Sequence, residues 1–199
     1  MDEAADKQRL RAAARKLRAD AQAGDEGSAA AERVADHFFT AFSSAIQIDG
    51  HTAVAGYWPL GSELDVRPLM IRLAAAGLEL VLPVTRAVDL PLEFRRWRPG
   101  DALEQGAHGI SQPLAAAPVI TPTLLLVPLL AFDAGGWRLG YGAGYYDRTL
   151  AELRKRLFKT PPLAIGIGYA IQEMVSLPHH AGDQRLDGVV TERAARRFR

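Results

Sequence analysis

The stretch from Leu124 to Leu150, LLLVPLLAFDAGGWRLGYGAGYYDRTL, constrains what this chain can fold into more than any other part of it. Leu124 to Val127 is apolar without alternation and too short for a helix, which is how a strand covered on both faces reads. Five glycines follow, at Gly135, Gly136, Gly140, Gly142 and Gly144, and a helical pattern then resumes from Tyr145 to Phe158 through Leu150, Leu153 and Leu157. Strand, glycine loop and helix start form the layout of an anion site. Glycines let the backbone approach a phosphate, and the free N–H groups of a helix N-terminus favour negative charge.

The rest of the chain repeats the alternation of strand and helix. A helix is expected from Lys7 to Ala23, with Leu10, Ala14, Leu17 and Ala21 on one stripe. After a polar break at Asp25 to Ser28, with Ser28 as N-cap, Val34, Phe38, Phe42 and Ile46 mark a second helix. The run TAVAGYWP from Thr52 reads as a buried strand, and Asp65 with Pro68 opens a helix that stops at Gly77. Leu78 to Pro83 is the next strand, completing a unit of the size of a parallel crossover. Leu92 to Trp97 reads as a more exposed strand, and Pro99 to Pro113 as loop. Leu163 to Tyr169 is a strand, Gln172 to Ser176 a short helical piece, and Gly188 to Val190 a last strand before the basic end ERAARRFR. The expected architecture is α/β, with a mostly parallel sheet flanked by helices.

Composition narrows the chemistry. Among the 199 residues there is no cysteine, which excludes disulfides and thiol nucleophiles, and a zinc site would need the five histidines and the carboxylates. Lys and Arg total 24 against 23 Asp and Glu, a balance that argues against binding nucleic acid by bulk charge. No apolar run approaches the roughly 20 residues of a membrane span, so the expectation is a cytoplasmic protein.

The glycine loop matches no common nucleotide motif. Gly140 is followed by Tyr141 instead of the lysine of a Walker loop, and Tyr145 stands where the dinucleotide fingerprint needs its third glycine. By glycine count alone, a phosphate loop and a hairpin turn followed by a packing corner are equal readings. Asp147 has the position of a magnesium ligand beyond a phosphate loop, and equally of a partner to a helix dipole. Lys7, Arg11, Arg15 and Arg18 share one arc of the first helix, either a solvated face or a set of anion contacts. In YWPLGSELDV, Asp65 suits a helix cap, while Glu63 has no evident structural task and can hydrogen-bond a flat heteroaromatic ring stacked on Tyr57 and Trp58. His179 and His180 read as loop histidines, and Asp183 and Asp187 as site carboxylates or turn residues.

Taken in order, KQRLR near the start, YWPLGSELD, LEFRRWRPGDALEQGAHGI, VPLLAFDAGGWRLGYGAGYYDRTL and LPHHAGDQRLDGVVTE resemble the blocks of the 5-formyltetrahydrofolate cyclo-ligases, also called 5,10-methenyltetrahydrofolate synthetases. They run from Lys7 to Glu192. The resemblance implies one domain over residues 1–199, with a helical segment at about 7–46, a core at about 52–192 and a basic end. Its fold would be similar to the ribose-phosphate isomerase and CoA-transferase group. It also implies an ATP- and Mg2+-dependent ligase that acts on small molecules as a monomer. By the family pattern Lys7 and Arg11 reach the nucleotide, with Arg15 a weaker candidate. The nucleotide loop would comprise Arg138, Leu139, Gly140, Tyr141, Gly142, Ala143, Gly144, Tyr145 and Tyr146. Lys7, Arg138 and Tyr146 would act in catalysis, Asp147 and Asp183 would hold Mg2+, and Glu63, Trp58 and Tyr57 would bind folate. Gln112, Ala143 and Gly182 depart from the family's usual residues. The competing expectations are a binding module without turnover and a sugar-phosphate isomerase of the same fold group.

Overall fold

The computed structural model describes residues 3–24, 27–46 and 52–198. Two helices open the chain, α1 (Glu3–Ala23) and α2 (Gly27–Phe42), the latter running into a 3-10 turn at Ser43–Ala45. Ser28 therefore lies in the first turn of α2 and not at its cap, while Asp25 and Glu26 fall outside the described residues. In α2 the expected stripe is buried: Val34, Phe38 and Phe42 pack with Ala30 and Ala35 into the main core. Helix α1 is rolled away from its leucine stripe. Leu17 is 37% exposed, whereas Arg18, one residue on, is 4% exposed and Lys7 is also buried.

The strands in chain order are β1 (Ala53–Ala55), β2 (Glu79–Val84), β3 (Glu93–Arg96), β4 (Leu103–Gln105), β5 (Ser111–Pro113), β6 (Leu124–Pro128), β7 (Ala131–Asp133), β8 (Arg138–Leu139), β9 (Leu163–Ile167), β10 (Glu173–Met174), β11 (Gly188–Val190) and β12 (Ala195–Arg197). Seven form the main sheet in the order β12-β11-β9-β6-β1-β2-β3. The five inner strands are mutually parallel, and β3 and β12 close the edges antiparallel. Helix α3 (Arg67–Ala75) connects β1 to β2, and α4 (Tyr145–Arg156) precedes β9.

Alternation along β6 shows how the sheet is covered. Leu124 and Leu126 face the core that includes α2 and α3, while Leu125 and Val127 face the cluster that includes Leu150 and Leu153 of α4. Both faces are dry, which is why these strands carry almost no polar residue. A third cluster joins Ala14 of α1 to Leu130, Ala131, Leu139 and Leu177, and so seats α1 over the hairpin that comes after β6.

Four local expectations need correction. The segment read as loop between Pro99 and Pro113 contains the β4–β5 hairpin, whose three-residue strands are too short to show alternation. Gln172 to Ser176 is not helical: a 3-10 turn at Ala170–Gln172 leads into β10. Part of the basic end forms β12, an arginine-bearing edge strand of the kind that resists further pairing. Val66, not Asp65, is the N-cap of α3, although Asp65 Oδ1 accepts the Arg67 N–H at 3.0 Å.

The DAGG segment is the turn of the β7–β8 hairpin. Buried Asp133 accepts the N–H groups of Gly135 and Trp137 through Oδ1 and that of Leu177 through Oδ2, so one carboxylate ties the hairpin to the later loop. Asp133→Ala strips the partner from three donors, and the expected loss is about 3 kcal/mol in urea unfolding. An unchanged midpoint would show that the carboxylate is dispensable.

Candidate active site

The chain leaves β1 toward β2 and β3 on one side and leaves β6 toward β9, β11 and β12 on the other. Parallel sheets open a crevice at the carboxyl ends of strands at such a reversal. Here it is a cavity of about 580 Å³, bounded by Tyr57 and Trp58 after β1, Pro83 and Thr85 around the end of β2, and Pro128 at the end of β6. That size suits a small organic ligand.

One end is built by the glycine loop. Gly142 (φ 107°) and Gly144 (φ 68°) hold left-handed backbone, and Gly144 caps α4 without a side-chain hydrogen bond to its first N–H groups. Arg11 reaches over from α1, donating from Nε to the Gly140 carbonyl at 3.1 Å with its guanidinium against Gly142. The two readings of the glycine stretch divide between its halves: Gly135 and Gly136 make the hairpin turn, while Gly140, Gly142 and Gly144 border the cavity. Leu139, Tyr141, Ala143, Tyr145 and Tyr146 border it as well. Arg148 instead braces the loop from outside, donating to the Ala143 carbonyl at 2.7 Å.

Cations and carboxylates are interleaved at this end. Arg138 donates to Asp147 Oδ1 at 2.6 Å and to the Gln184 carbonyl, and Gln184 N–H donates back to Asp147 Oδ1 at 2.9 Å. Burial lowers the Arg138 pKa, and the Asp147 and Asp183 charges oppose it, so the guanidinium stays charged. Lys7 Nζ lies 3.6 Å from Asp183 Oδ2, which also accepts the His180 N–H. Of the neighbouring histidines only His180 borders the cavity, because His179 stacks on Trp137 at 3.8 Å. Asp187 does not border it: it pairs with Arg154 at 2.9 Å and accepts the Ala164 N–H.

The other end is aromatic with one carboxylate. Glu63, 7% exposed, accepts the Leu60 N–H on Oε2 at 2.9 Å and faces Arg18 Nη1 from Oε1 at 3.8 Å. Burial raises its pKa, against the Leu60 N–H, the Arg18 charge and a Tyr141 hydrogen bond. Tyr57 presents its ring to the cavity, but its hydroxyl donates to the Leu64 carbonyl at 2.8 Å. Trp58 stands edge-on to Trp97 with 5.9 Å between ring centroids. Tyr146 is held neutral, its hydroxyl pushed far up by burial and further by Glu63, with Arg138 opposing.

All the site residues implied by the family resemblance border this cavity except Arg15, which instead lies over the Tyr141 ring. Arg18, expected on a basic face, is buried behind the site, and only its place beside the leucine stripe hinted at that. Leu92, Ile110 and Gln112 also border the cavity, from segments whose sequence carried no such signal.

Fold and cavity together define an α/β protein that holds a small molecule at the carboxyl edge of a parallel sheet. The model of the 5-formyltetrahydrofolate cyclo-ligase family matches residues 3–192, and the chain belongs to that family. The 5-formyltetrahydrofolate cyclo-ligase of Escherichia coli K12 is 35% identical over 146 residues, covering 71% of this chain and 78% of that protein. The corresponding Mycolicibacterium smegmatis protein is 40% identical over 115 residues, covering 54% of this chain and 58% of the relative. The NMR structure of Aquifex aeolicus 5,10-methenyltetrahydrofolate synthetase superposes with a TM-score of 0.75 at 30% identity, covering 97% and 93% of the two chains. Among the described residues, no helix is long and apolar enough to cross a membrane.

Gly142→Ala places a side chain on left-handed backbone with its Cβ 3.2 Å from the Arg11 guanidinium. A stability loss of about 1–2 kcal/mol is expected in chemical denaturation. A wild-type midpoint would mean that the loop relaxes without cost.

Proposed function

We propose that this chain converts 5-formyltetrahydrofolate to 5,10-methenyltetrahydrofolate, with ATP as the phosphoryl donor and ADP and phosphate as products. The observation that carries this reading is that one cavity joins an anion-binding glycine loop, flanked by Lys7, Arg11 and Arg138, to an aromatic end with a buried carboxylate. The formyl group on N5 is an amide, a poor electrophile whose oxygen does not leave unaided. Transfer of the γ-phosphoryl group to that oxygen makes it a leaving group. N10 then attacks the formyl carbon and loses its proton, and the carbon–oxygen bond to phosphate breaks to give the methenyl cation.

The chain's own part is positioning and charge neutralisation, which suffice for phosphoryl transfer. Gly140, Gly142 and Gly144 with the start of α4 cradle the phosphates. Lys7, Arg11 and Arg138 offset charge on the transferring group. Tyr146, a neutral phenol, donates a hydrogen bond toward the reacting atoms. Glu63 accepts hydrogen bonds from the N–H edge of the pterin, which lies against Tyr57 and Trp58.

Asp147 and Asp183 fit Mg2+. Both border the cavity, and their protein hydrogen bonds fall on Asp147 Oδ1 and Asp183 Oδ2. Among the described residues no group of three or more His, Cys, Asp or Glu is set to hold a metal. Such a site suits an ion that takes one or two carboxylates and completes its shell with phosphate oxygens and water. When bound, Mg2+ neutralises phosphate charge. The protein acts on its small-molecule substrates as a monomer.

With 5-formyltetrahydrofolate, ATP and Mg2+, the purified protein is expected to generate the near-ultraviolet absorbance of the methenyl product; folded protein that binds folate without that change would refute turnover. Asp147→Asn retains an acceptor for Arg138 and Gln184 but removes the charge, and should lower kcat by about 100-fold while leaving folate affinity intact. Folate affinity should also depend on pH. Because burial raises the Glu63 pKa, its carboxylate is lost as pH falls through a value above the ordinary Glu pKa of about 4.3, and affinity falls with it. Fluorescence titration across pH should show this acid limb, and Glu63→Gln should abolish it.

A further inference from the structure

Arg18 makes contacts that a solvated helix face would not. Its side chain, 4% exposed, donates from Nε to Ser62 Oγ at 3.1 Å, from Nη2 to the Tyr141 hydroxyl at 2.5 Å, and from Nη1 to the Leu129 carbonyl at 3.5 Å. The same Nη1 lies 3.8 Å from Glu63 Oε1. These partners sit on three separate segments: the loop after β1, the turn after β6, and the glycine loop. We infer that Arg18 is the positioning residue that fixes the Glu63 carboxylate against the substrate cavity and ties it to the glycine loop through Tyr141.

The inference rests on the reading of Glu63 as the folate carboxylate. A buried carboxylate keeps its charge only if it is paired and hydrogen-bonded. Toward Glu63 the glycine loop presents Tyr141, α4 presents Tyr146, the end of β1 presents Tyr57, and its own loop presents the Leu60 N–H. All of these are neutral donors or phenols, and Arg18 from α1 supplies the positive charge that opposes burial. The planar fork matters as much as the charge. One guanidinium serves Ser62, Tyr141 and Leu129 in divergent directions, which the single ammonium of a lysine does not reproduce. Arg18 touches no reacting atom and acts through Glu63.

The test compares Arg18→Met, Arg18→Lys, Glu63→Gln and the Arg18→Met/Glu63→Gln double variant by equilibrium binding of 5-formyltetrahydrofolate without ATP across pH, with circular dichroism to certify folding. Arg18→Met should weaken binding at neutral pH by about tenfold or more and move the acid limb to higher pH, because removing the cation makes Glu63 easier to protonate. Arg18→Lys should keep the limb near its wild-type position and recover part of the affinity. In the Glu63→Gln background, Arg18→Met should add less than about a threefold further loss, the signature of two residues acting as one unit. Independent, multiplicative losses, or folded Arg18 variants with wild-type affinity and limb, overturn the inference while leaving Glu63 in place. If Glu63→Gln binds folate as the wild type does, the reading of Glu63 falls and the inference with it. Should Arg18→Met fail to fold, Arg18→Lys decides: weakened binding at an unmoved limb supports the role, and unchanged affinity overturns it.

Discussion

The parallel pairing of β1 with β6, in the register Val54 with Leu124 and Ala55 with Leu125, organises the rest of this molecule. Because the chain departs from these neighbours in opposite directions, their carboxyl ends are not bridged by a common connection. The gap between them becomes the cavity. Most of its lining is carried by segments that lie just beyond a strand: Tyr57 to Glu63 after β1, the hairpin and glycine loop after β6, and the 178–183 loop between β10 and β11. Helix α1 comes from outside this pattern and closes the cavity by packing Ala14 against Leu130, Leu139 and Leu177.

Charge is arranged around that cavity in cross-segment pairs. Lys7 faces Asp183, Arg138 holds Asp147, and Arg18 stands beside Glu63. Burying any of these charges alone would be strongly unfavourable, whereas each pair keeps its members ionised near a ligand site. The near-equal totals of 24 basic and 23 acidic residues thus conceal local pairing. Phosphate groups can exchange into the cationic half of such pairs, and Mg2+ into the acidic half.

Much of the fold was legible because the inner strands are buried on both faces and read as short apolar runs. Leu163–Ile167, Gly188–Val190 and Leu124–Pro128 lie close to where the sequence put them. The β4–β5 hairpin and β12 were not legible, since three-residue strands are defined by their partners more than by any pattern of their own. The glycine stretch was ambiguous for a similar reason. Gly136 and Gly142 both adopt positive φ, one beneath a hairpin and one beside a cavity, and nothing in the residue type distinguishes them.

By itself the sequence determined the alternating α/β architecture, the absence of thiol chemistry and the family, because apolar runs, residue content and ordered motifs are properties of the chain. It also placed Glu63, Asp147 and the glycine loop among residues with chemical work. Tertiary structure decided which way α1 turned its cations. At 100° per residue Leu17 and Arg18 are nearly perpendicular. Only the packing of α1 onto the hairpin, with Glu63, Ser62 and Tyr141 waiting beneath, exposes the leucine and buries the arginine. A helix's own periodicity cannot reveal what its partner surface offers.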